Sequence, residues 1–434
     1  MREKKRLRLL SCLFGLWALT RAMPAAAAGA APGDVIDRTN WQEAEGLLPE
    51  SVLNWIRRGD VLHVAALSFS PNEFLPPGCR ESLALNARRY DVDDNGLIVD
   101  VKTGKLPAFV TGLPFPQIDL EDSKAGSKLM YNKFYYGYAT GNMLCPFQAA
   151  YITREAGFHR EVELDYRTYV LDGYAAIRGE PNPDNLEVCS IVRVLAPFDI
   201  AGTNVLTLRY RDERPDSTFT YLPAIRRVRR VSPANRSDAF LGSDFTMDDA
   251  WGYAGKVNSF SWKILRKADQ LIPFLDPEPQ PLEANDRGEY MTGAAVKEII
   301  WGYQEPGYTG APWFPTNVVW VRRPTYILEA RAKDPYYNYG YQYLWLDAEF
   351  YQPIFKVIHD RSGSYWKTEW QPQAGFENGA SGVRLVALGC MVATDDRTDH
   401  TTVINYYTPR HRTQFFATAD RNDFSLAGFQ KLCK

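Results

Sequence analysis

Residues 161–171 form an alternating segment that reads EVELDYRTYVL. Val162, Leu164 and Tyr166 lie at even-numbered positions, and charged side chains fill most of the odd-numbered positions. Because successive side chains of a β-strand point to opposite faces of the sheet, this pattern predicts a strand with one apolar and one polar face. Three further segments alternate in a similar way, at 189–197, 204–211 and 219–231. Neighbouring strands of this kind, joined by short turns, predict an antiparallel meander.

The rest of the chain predicts more strands than helices. Helices are predicted at 47–59, 122–138 and 294–303, while 258–275 fits a helix or a strand equally well. Additional strands and hairpins are predicted at 60–67, 91–102, 318–332, 341–350, 354–360, 365–370 and 391–407. The expected fold is therefore α+β and mostly antiparallel β, with one large, strongly curved sheet. A sheet of this size must have its apolar face covered by helices, by a ligand or by both.

The first 28 residues have the pattern of a secretory signal peptide. Basic residues crowd 1–8, an apolar run covers 9–19, and small residues at 25–28 suit cleavage. The apolar run is too short to span a bilayer. Cys12 lies inside this run, which is too early for the lipidated cysteine of a bacterial lipoprotein. We therefore expect a protein that is exported to the periplasm and is not a lipoprotein.

The mature chain, 29–434, is expected to form a single domain, with a helical and extended part at 29–140 and the main β-sheet at 141–434. The whole chain is 45% hydrophobic and 24% charged, which is typical of a folded globular protein. Loss of the signal peptide, 1–28, removes six basic side chains and one acidic side chain, so the formal net charge falls from −2 to −7. Because nucleic-acid binding depends on neutralising phosphates, this charge argues against a nucleic-acid partner.

Five cysteines remain after the signal peptide is removed. No two of them are spaced as Cys-x-x-Cys, so the spacing disfavours a zinc site or a thioredoxin-like motif. Two disulfides can form in an oxidising compartment. The predicted pairs are Cys390–Cys433 and Cys79–Cys145, which leaves Cys189 as a buried thiol.

The sequence carries none of the common catalytic motifs, and no cofactor and no metal site are predicted. It lacks Gly-x-Ser-x-Gly, His-Glu-x-x-His, a P-loop and the dinucleotide-binding glycine motif. Asp91, Asp93 and Asn95 match the start of an EF-hand calcium loop, but Lys102 replaces the bidentate glutamate at position twelve. A plain hairpin that turns at Asn95 and Gly96 is therefore favoured over a calcium site.

A cluster of basic side chains lies near the end of the alternating region. It comprises Arg226, Arg227, Arg229 and Arg230. On a strand, the first and the last of these arginines point to one face and the middle two point to the other, so they cannot form one patch by themselves. Structural ion pairs with nearby carboxylates such as Asp244 are therefore favoured over the alternative, which is binding of a lipid headgroup or a phosphate.

Three blocks of the sequence resemble one known protein family. They read GLPFP at 112–116, FTYLP at 219–223 and YLWLD at 343–347. The chain resembles a family of exported proteins whose domain has no established function, related to the outer-membrane lipoprotein-sorting proteins of the LolA/LolB superfamily. The resemblance covers most of the mature chain, although Phe219 stands where a tryptophan is more usual in the family.

This resemblance implies a half-open β-barrel, in which helices cover the concave, apolar face of a curved sheet. Members of the superfamily hold acyl chains or other hydrophobic ligands on that face. Some members of the family lie beside RND-type exporters and outer-membrane channels, which are therefore the expected partners. No catalytic residue is established for the family, so none is transferred to this chain.

The predicted function is a periplasmic, non-enzymatic binding or carrier protein for a hydrophobic, lipid-like ligand that serves an envelope transport system. The candidate ligand contacts are aromatic side chains of the recognisable blocks, namely Tyr210, Phe219, Tyr221, Phe245 and Trp345. A structural component of an envelope complex is one alternative. The other is a polysaccharide-acting enzyme, whose carboxylate pair would be Glu43 with Glu45 or Asp248 with Asp249.

Overall fold

The computed structural model describes residues 29–408 and 410–433, and β-strands dominate it. The predicted signal peptide, 1–28, lies outside the described residues. The strands are β1 (Val35–Ile36), β2 (Leu62–Val64), β3 (Tyr90–Val92), β4 (Ile98–Asp100), β5 (Leu144–Thr153), β6 (Gly157–Val170), β7 (Leu186–Ala196), β8 (Asn204–Tyr210), β9 (Ser217–Leu222), β10 (Arg227–Val231), β11 (Phe260–Phe274), β12 (Gln280–Ala284), β13 (Tyr290–Thr292), β14 (Val319–Ala332), β15 (Tyr341–Asp347), β16 (Pro353–His359), β17 (Tyr365–Trp370), β18 (Gln373–Asn378), β19 (Val383–Leu388), β20 (Cys390–Asp395), β21 (His400–Asn405) and β22 (Gln414–Phe415). The α-helices are α1 (Glu50–Arg57), α2 (Pro77–Leu85), α3 (Ala125–Tyr138) and α4 (Leu426–Leu432).

The main sheet is antiparallel and combines two runs of strands. Its pairing order is β10–β9–β8–β7–β6–β5–β21–β20–β17–β16–β15–β14–β11. The first six strands of this order contain the predicted meander, and β5 extends the meander by one strand at its N-terminal end. In the described part of the chain the two end strands, β10 and β11, do not pair with each other. The curved sheet is therefore a half-open barrel, and the predicted fold class is confirmed.

The alternation of β6 gives the sheet its apolar concave face. Val162 lies opposite Ala149 of β5, and Leu164 lies opposite Phe147 of the same strand. Tyr166 lies opposite Val192 of β7 on the other side. Because cross-strand neighbours share a face, these residues form one continuous apolar surface across three strands.

Helix α3 crosses this concave face. Gly126 near its start lies so close to β11 that an added Cβ would stand 2.5 Å from the carbonyl oxygen of Trp262. Further along the helix, the Tyr136 hydroxyl accepts a hydrogen bond from the amide of Val386 in β19 (2.8 Å) and donates one to the carbonyl of Phe74 (3.0 Å). The helix is thus held against the rest of the protein at both ends, and it covers the apolar concave face of the sheet.

Shorter strands surround the main sheet. β18 pairs with β19 and with β12, β12 with β13, β13 with β22, and β22 with β5. At the N-terminal side, β1 pairs with β2, and β2 runs parallel to β14. Strands β3 and β4 form the predicted hairpin at 91–102. Within the described residues, no helix has the length and hydropathy of a membrane-spanning segment.

Two predicted elements differ in the structure. Residues 219–231 were expected to form one strand, but they form two, β9 and β10, because the chain turns at Pro223–Ile225 and Arg226 adopts a left-handed conformation (φ 50°). Residues 294–303 were expected to be helical, but most of them have no regular structure. There the amide of Lys297 donates to the side chain of Gln280, and the amide of Ile300 donates to the side chain of Asn317. These amides therefore bond to side chains and not to the carbonyls of a helix.

The two predicted disulfides are not formed. All five described cysteines are free, and four of them are buried. Cys145 lies in β5 with its Sγ 3.2 Å from the hydroxyl of Thr413, and Cys433 accepts a hydrogen bond from Asn204. Because these thiols contact other side chains in separate parts of the fold, their spacing in the sequence did not predict their neighbours.

Candidate ligand cavity

A cavity of about 300 Å³ lies between the concave face of the sheet and helix α3. The inward side chains of four adjacent strands line it. From β6 these are Val162, Leu164, Tyr166, Thr168 and Val170. From β5, β7 and β8 they include Cys145, Phe147, Ala149, Tyr151, Val188, Val192, Val205 and Thr207. The five β6 residues are those of the alternating segment that faces inward, so the two-residue period of the sequence places them on the cavity wall.

Helix α3 forms the opposite wall, with Phe134, Tyr136, Gly137 and Tyr138. Gly137 is exposed, unlike its neighbours in the helix, and an added Cβ at this position would meet no heavy atom within 4 Å. The helix therefore leaves open space at this position, on the side of the cavity.

The segment 240–254 closes a third side of the cavity. Phe240, Leu241, Phe245 and Trp251 of this segment line it. The Trp251 ring lies 4.5 Å from that of Tyr166, measured between ring centroids. Leu241 and Trp251 have left-handed backbone conformations (φ 53° and 51°), which cost side-chain-bearing residues energy. Packing against the cavity wall holds this irregular segment in place.

One part of the cavity lining is cationic. Lys133, Arg209 and Arg236 all line the cavity, and they come from α3, β8 and the turn at Pro233–Ser237. The Lys133 ammonium donates to the carbonyl of Tyr253 (2.5 Å), and both guanidinium groups donate to the carbonyl of Ala254. Since the two acceptors are consecutive residues, the three cations lie side by side.

The three cations differ in their counter-charges. Asp216 contacts Arg209 (2.8 Å) and Arg236 (3.3 Å), and Asp248 contacts Arg236 (2.5 Å). Within the described residues, Lys133 makes no ion pair. Burial, together with the charges of Arg209 and Lys356, holds the pKa of Lys133 well below its usual value.

Asp249, next in the chain to Asp248, belongs to a second buried ionic network, with Lys356 and Glu369. The ammonium of Lys356 contacts Asp249 and stands 2.7 Å from Oε2 of Glu369. The hydroxyl of Tyr339 donates to Asp249 (2.6 Å). Burial alone would raise the pKa of Asp249, but the charges of Lys356 and Lys367 hold it below its usual range. Burial, reinforced by the charge of Asp249, raises the pKa of Glu369 well above normal.

The structure places the five predicted ligand contacts in three locations. Phe245 lines the cavity. Tyr210, Phe219 and Tyr221 pack in a separate cluster with Phe429 of α4, on the convex side of β8 and β9. Trp345 lies in the main core, where its indole N–H donates to Gln270 (3.1 Å).

The predicted ion pairs between the four clustered arginines and Asp244 are not formed. Among the described residues, none of the four arginines makes an ion pair, and all are exposed on the β9–β10 hairpin; they are Arg226, Arg227, Arg229 and Arg230. Asp244 instead lies 2.7 Å from Nδ1 of His400 and accepts a hydrogen bond from the hydroxyl of Thr402 (2.7 Å).

The carboxylate pairs considered for an enzyme lie in different surroundings. Asp248 and Asp249 are buried and held in the ion pairs described above. Glu43 and Glu45 are exposed near the N-terminal end of the fold. In the calcium-loop region, Asp91 contacts Lys128 (2.7 Å). No group of three or more His, Cys, Asp and Glu side chains among the described residues is arranged to hold a metal ion.

Sequence reasoning missed the cationic part of the cavity. Lys133 offered the one usable signal, since it interrupts the apolar and aromatic run LMYNKFYYGY of α3. Arg209 and Arg236 carried no such signal, because only the fold brings β8 and the turn at Pro233–Ser237 together.

Comparisons with known proteins identify similar structures. A domain named for outer membrane lipoprotein sorting, from Vibrio parahaemolyticus, is 16% identical and has a TM-score of 0.48; the match covers 71% of this chain and 100% of that chain. A DUF1329 family protein from Desulfovibrio piger is 16% identical with a TM-score of 0.46, over 70% of this chain and 98% of that chain. A LolA superfamily protein from Nitrosomonas europaea is 14% identical with a TM-score of 0.37, over 66% of this chain and 91% of that chain.

The sequence comparisons identify the family. No curated protein sequence matches the chain. The profile of the family described as "protein of unknown function (DUF1329)" matches residues 35–428, which is nearly all of the described chain.

Proposed function

The chain belongs to the DUF1329 family, and from that premise we propose that it binds and carries a hydrophobic, lipid-like molecule in the cavity between the sheet and α3. The observation that carries this proposal is the cavity wall itself, because inward residues of four neighbouring strands and of one helix leave about 300 Å³ unfilled. This volume is at the lower end of the range of ligand-binding cavities, which are lined mainly by apolar side chains.

The gain from binding comes from burial of apolar surface. Each Å² of apolar surface removed from water stabilises the complex by about 25 cal/mol. The β6 residues Val162, Leu164 and Val170 present such a surface, and Phe147 and Phe245 extend it. A hydrophobic guest would therefore gain contacts that water cannot supply.

Binding without catalysis fits the polar groups of the site. The buried carboxylates Asp216 and Asp248 are already engaged by Arg209 and Arg236, so neither is free to act as an acid or a base. We propose that the protein works in the periplasm, which the predicted signal peptide supports. We also propose that it exchanges its guest with an envelope transport system such as an RND-type exporter or an outer-membrane channel.

Filling the cavity from α3 tests this function. Gly137→Phe places a ring in the open space, and we expect the affinity for N-phenyl-1-naphthylamine, a hydrophobic fluorescent probe, to fall at least about tenfold, because the probe loses its place in the cavity. Gly137→Ala is the matched control: it adds only a methyl group, should raise the free energy of unfolding by about 0.5 kcal/mol through helix propensity, and should still bind the probe. Unchanged fluorescence titrations for Gly137→Phe would contradict the proposal.

A further inference from the structure

Building on the proposed carrier function, we propose that the guest is a single-chain amphiphile with an anionic head group. The head lies against Lys133, Arg209 and Arg236, and the tail extends along the inward face of β5 to β8. Anionic carboxylate and phosphate heads share the chemistry that these three cations recognise.

Lys133 is the first observation that points to an anion. Its side chain lines the cavity and is only 5% exposed. Its ammonium has three hydrogen-bond donors, yet among the described residues its one hydrogen bond goes to the carbonyl of Tyr253. Burial without an acidic partner disfavours the charged form of Lys133, and a bound anion would supply the opposite charge that stabilises the ammonium.

The neighbouring charges leave Lys133 in excess. Arg209 and Arg236 are compensated by Asp216 and Asp248, and neither aspartate forms an ion pair with Lys133. Glu187 accepts a hydrogen bond from the hydroxyl of Tyr138 (2.6 Å); burial raises its pKa, and the charges of Arg209 and Lys256, not that of Lys133, oppose this rise. Of the three basic groups in the cavity lining, Lys133 is therefore the one without an ion-pair partner among the described residues.

Arg236, which also lines the cavity, has a buried donor without a hydrogen bond. Its Nη1 is buried and lies 3.3 Å from Asp216, but it makes no hydrogen bond to any described residue. Charged groups that lose water without gaining hydrogen bonds are destabilising. Because this nitrogen is closed off from the empty cavity, an anion beside Lys133 would reach it only after a shift of the Arg236 side chain.

The size of the cavity limits the tail. At about 300 Å³ it lies at the lower end of the range for ligand cavities, which favours one acyl or alkyl chain over two. The apolar wall of β6, which includes Leu164, Tyr166 and Val170, is the surface on which such a chain would lie.

Probes that differ only in the head group test the inference. We would measure displacement of N-phenyl-1-naphthylamine by palmitate, methyl palmitate and hexadecyl phosphate below their micelle concentrations. The wild-type protein should bind palmitate or hexadecyl phosphate at least about tenfold more tightly than methyl palmitate, because charge-assisted hydrogen bonds form only with the anions. The ratio between palmitate and hexadecyl phosphate distinguishes a carboxylate guest from a phosphate guest.

Variants of Lys133 assign the preference to this site. Lys133→Met should remove the preference for the anions while it leaves binding of methyl palmitate intact, and Lys133→Arg should restore the preference. Lys128→Met is the matched control, because Lys128 lies on the same helix but pairs with Asp91 and Asp122 outside the cavity. Circular dichroism and thermal unfolding would establish that each variant is folded.

Two results would overturn the inference, and they have different meanings. If the wild-type protein binds methyl palmitate as tightly as the anions, or if Lys133→Met keeps the preference, the carrier function stands and the anionic head group is wrong. If none of the three compounds binds, the proposed carrier function itself is contradicted, and the anionic guest falls with it.

Discussion

Asp60 shows how burial of one carboxyl group affects stability. Its Oδ1 accepts hydrogen bonds from the amide of Ala311 (2.7 Å) and the hydroxyl of Tyr308 (2.9 Å). Burial raises the pKa of Asp60 from 3.8 to about 6. The native state therefore binds a proton more tightly than the unfolded chain, so the free energy of unfolding falls as the pH rises from 4 to 6.

Asp60→Asn removes this ionisation but keeps the acceptor oxygen. We expect the variant to have a free energy of unfolding about 3 kcal/mol higher than the wild-type protein at pH 7, because the buried carboxylate is no longer formed. The difference should close below pH 4, where both residues are neutral. Urea unfolding at pH 4 and pH 7 measures it, and an equal difference at the two values would show that ionisation of Asp60 is not the cause.

At the level of single residues, only some of the aromatic side chains predicted to contact the ligand line the cavity. Phe245 lies in the cavity wall, whereas Phe219 and Tyr221 lie on the convex side of β9. Aromatic side chains suit either face of a strand, so residue type alone did not determine the direction. The alternation along a strand tells which side chains share a face, but the neighbouring strand is needed to tell which face lines the cavity. In β8, Leu206 lies opposite Phe219, and both side chains are outside the cavity.

Strand β7 carries one residue on the cavity wall and a matched exposed residue outside the cavity. Val192 lines the cavity, and Leu195 of the same strand is exposed outside it. Val192→Glu should weaken binding of N-phenyl-1-naphthylamine at least about tenfold, because a carboxylate beside an apolar guest must lose water.

Leu195→Glu is the control for this charge, and it should bind the probe with wild-type affinity. Thermal unfolding followed by circular dichroism would separate loss of binding from loss of folding. If Val192→Glu lost stability as much as binding, Val192 would be an ordinary core residue, and the cavity wall would not be a binding surface at this strand.

At the level of elements, local patterns predicted most of the strands. The alternating segment became β6, the hairpin at β3 and β4 was confirmed, and α3 begins three residues later than predicted, at Ala125. The predicted strand 219–231 failed because the turn at Pro223–Ile225 has no glycine and depends on the left-handed Arg226. The helix at 294–303 failed because side chains elsewhere, such as that of Gln280, take its amide donors.

For the whole molecule, the half-open barrel followed from the family resemblance more than from periodicity. β5 pairs with β21, which lies about 250 residues further along the chain, and no local pattern encodes such a pairing. The resemblance to the family is confirmed by the match over residues 35–428. The cationic part of the cavity was not predicted, because Lys133, Arg209 and Arg236 approach one another only in the folded protein.

Mass spectrometry of what the protein carries is the most direct test of the central claim, that the cavity holds a hydrophobic guest. The chain would be exported to a bacterial periplasm, purified without detergent and extracted with organic solvent. We expect about one equivalent of a lipid-like molecule from the wild-type protein, as one cavity implies, and far less from Gly137→Phe purified in the same way. Extracts of the two proteins that contained the same small amounts of lipid would contradict the account.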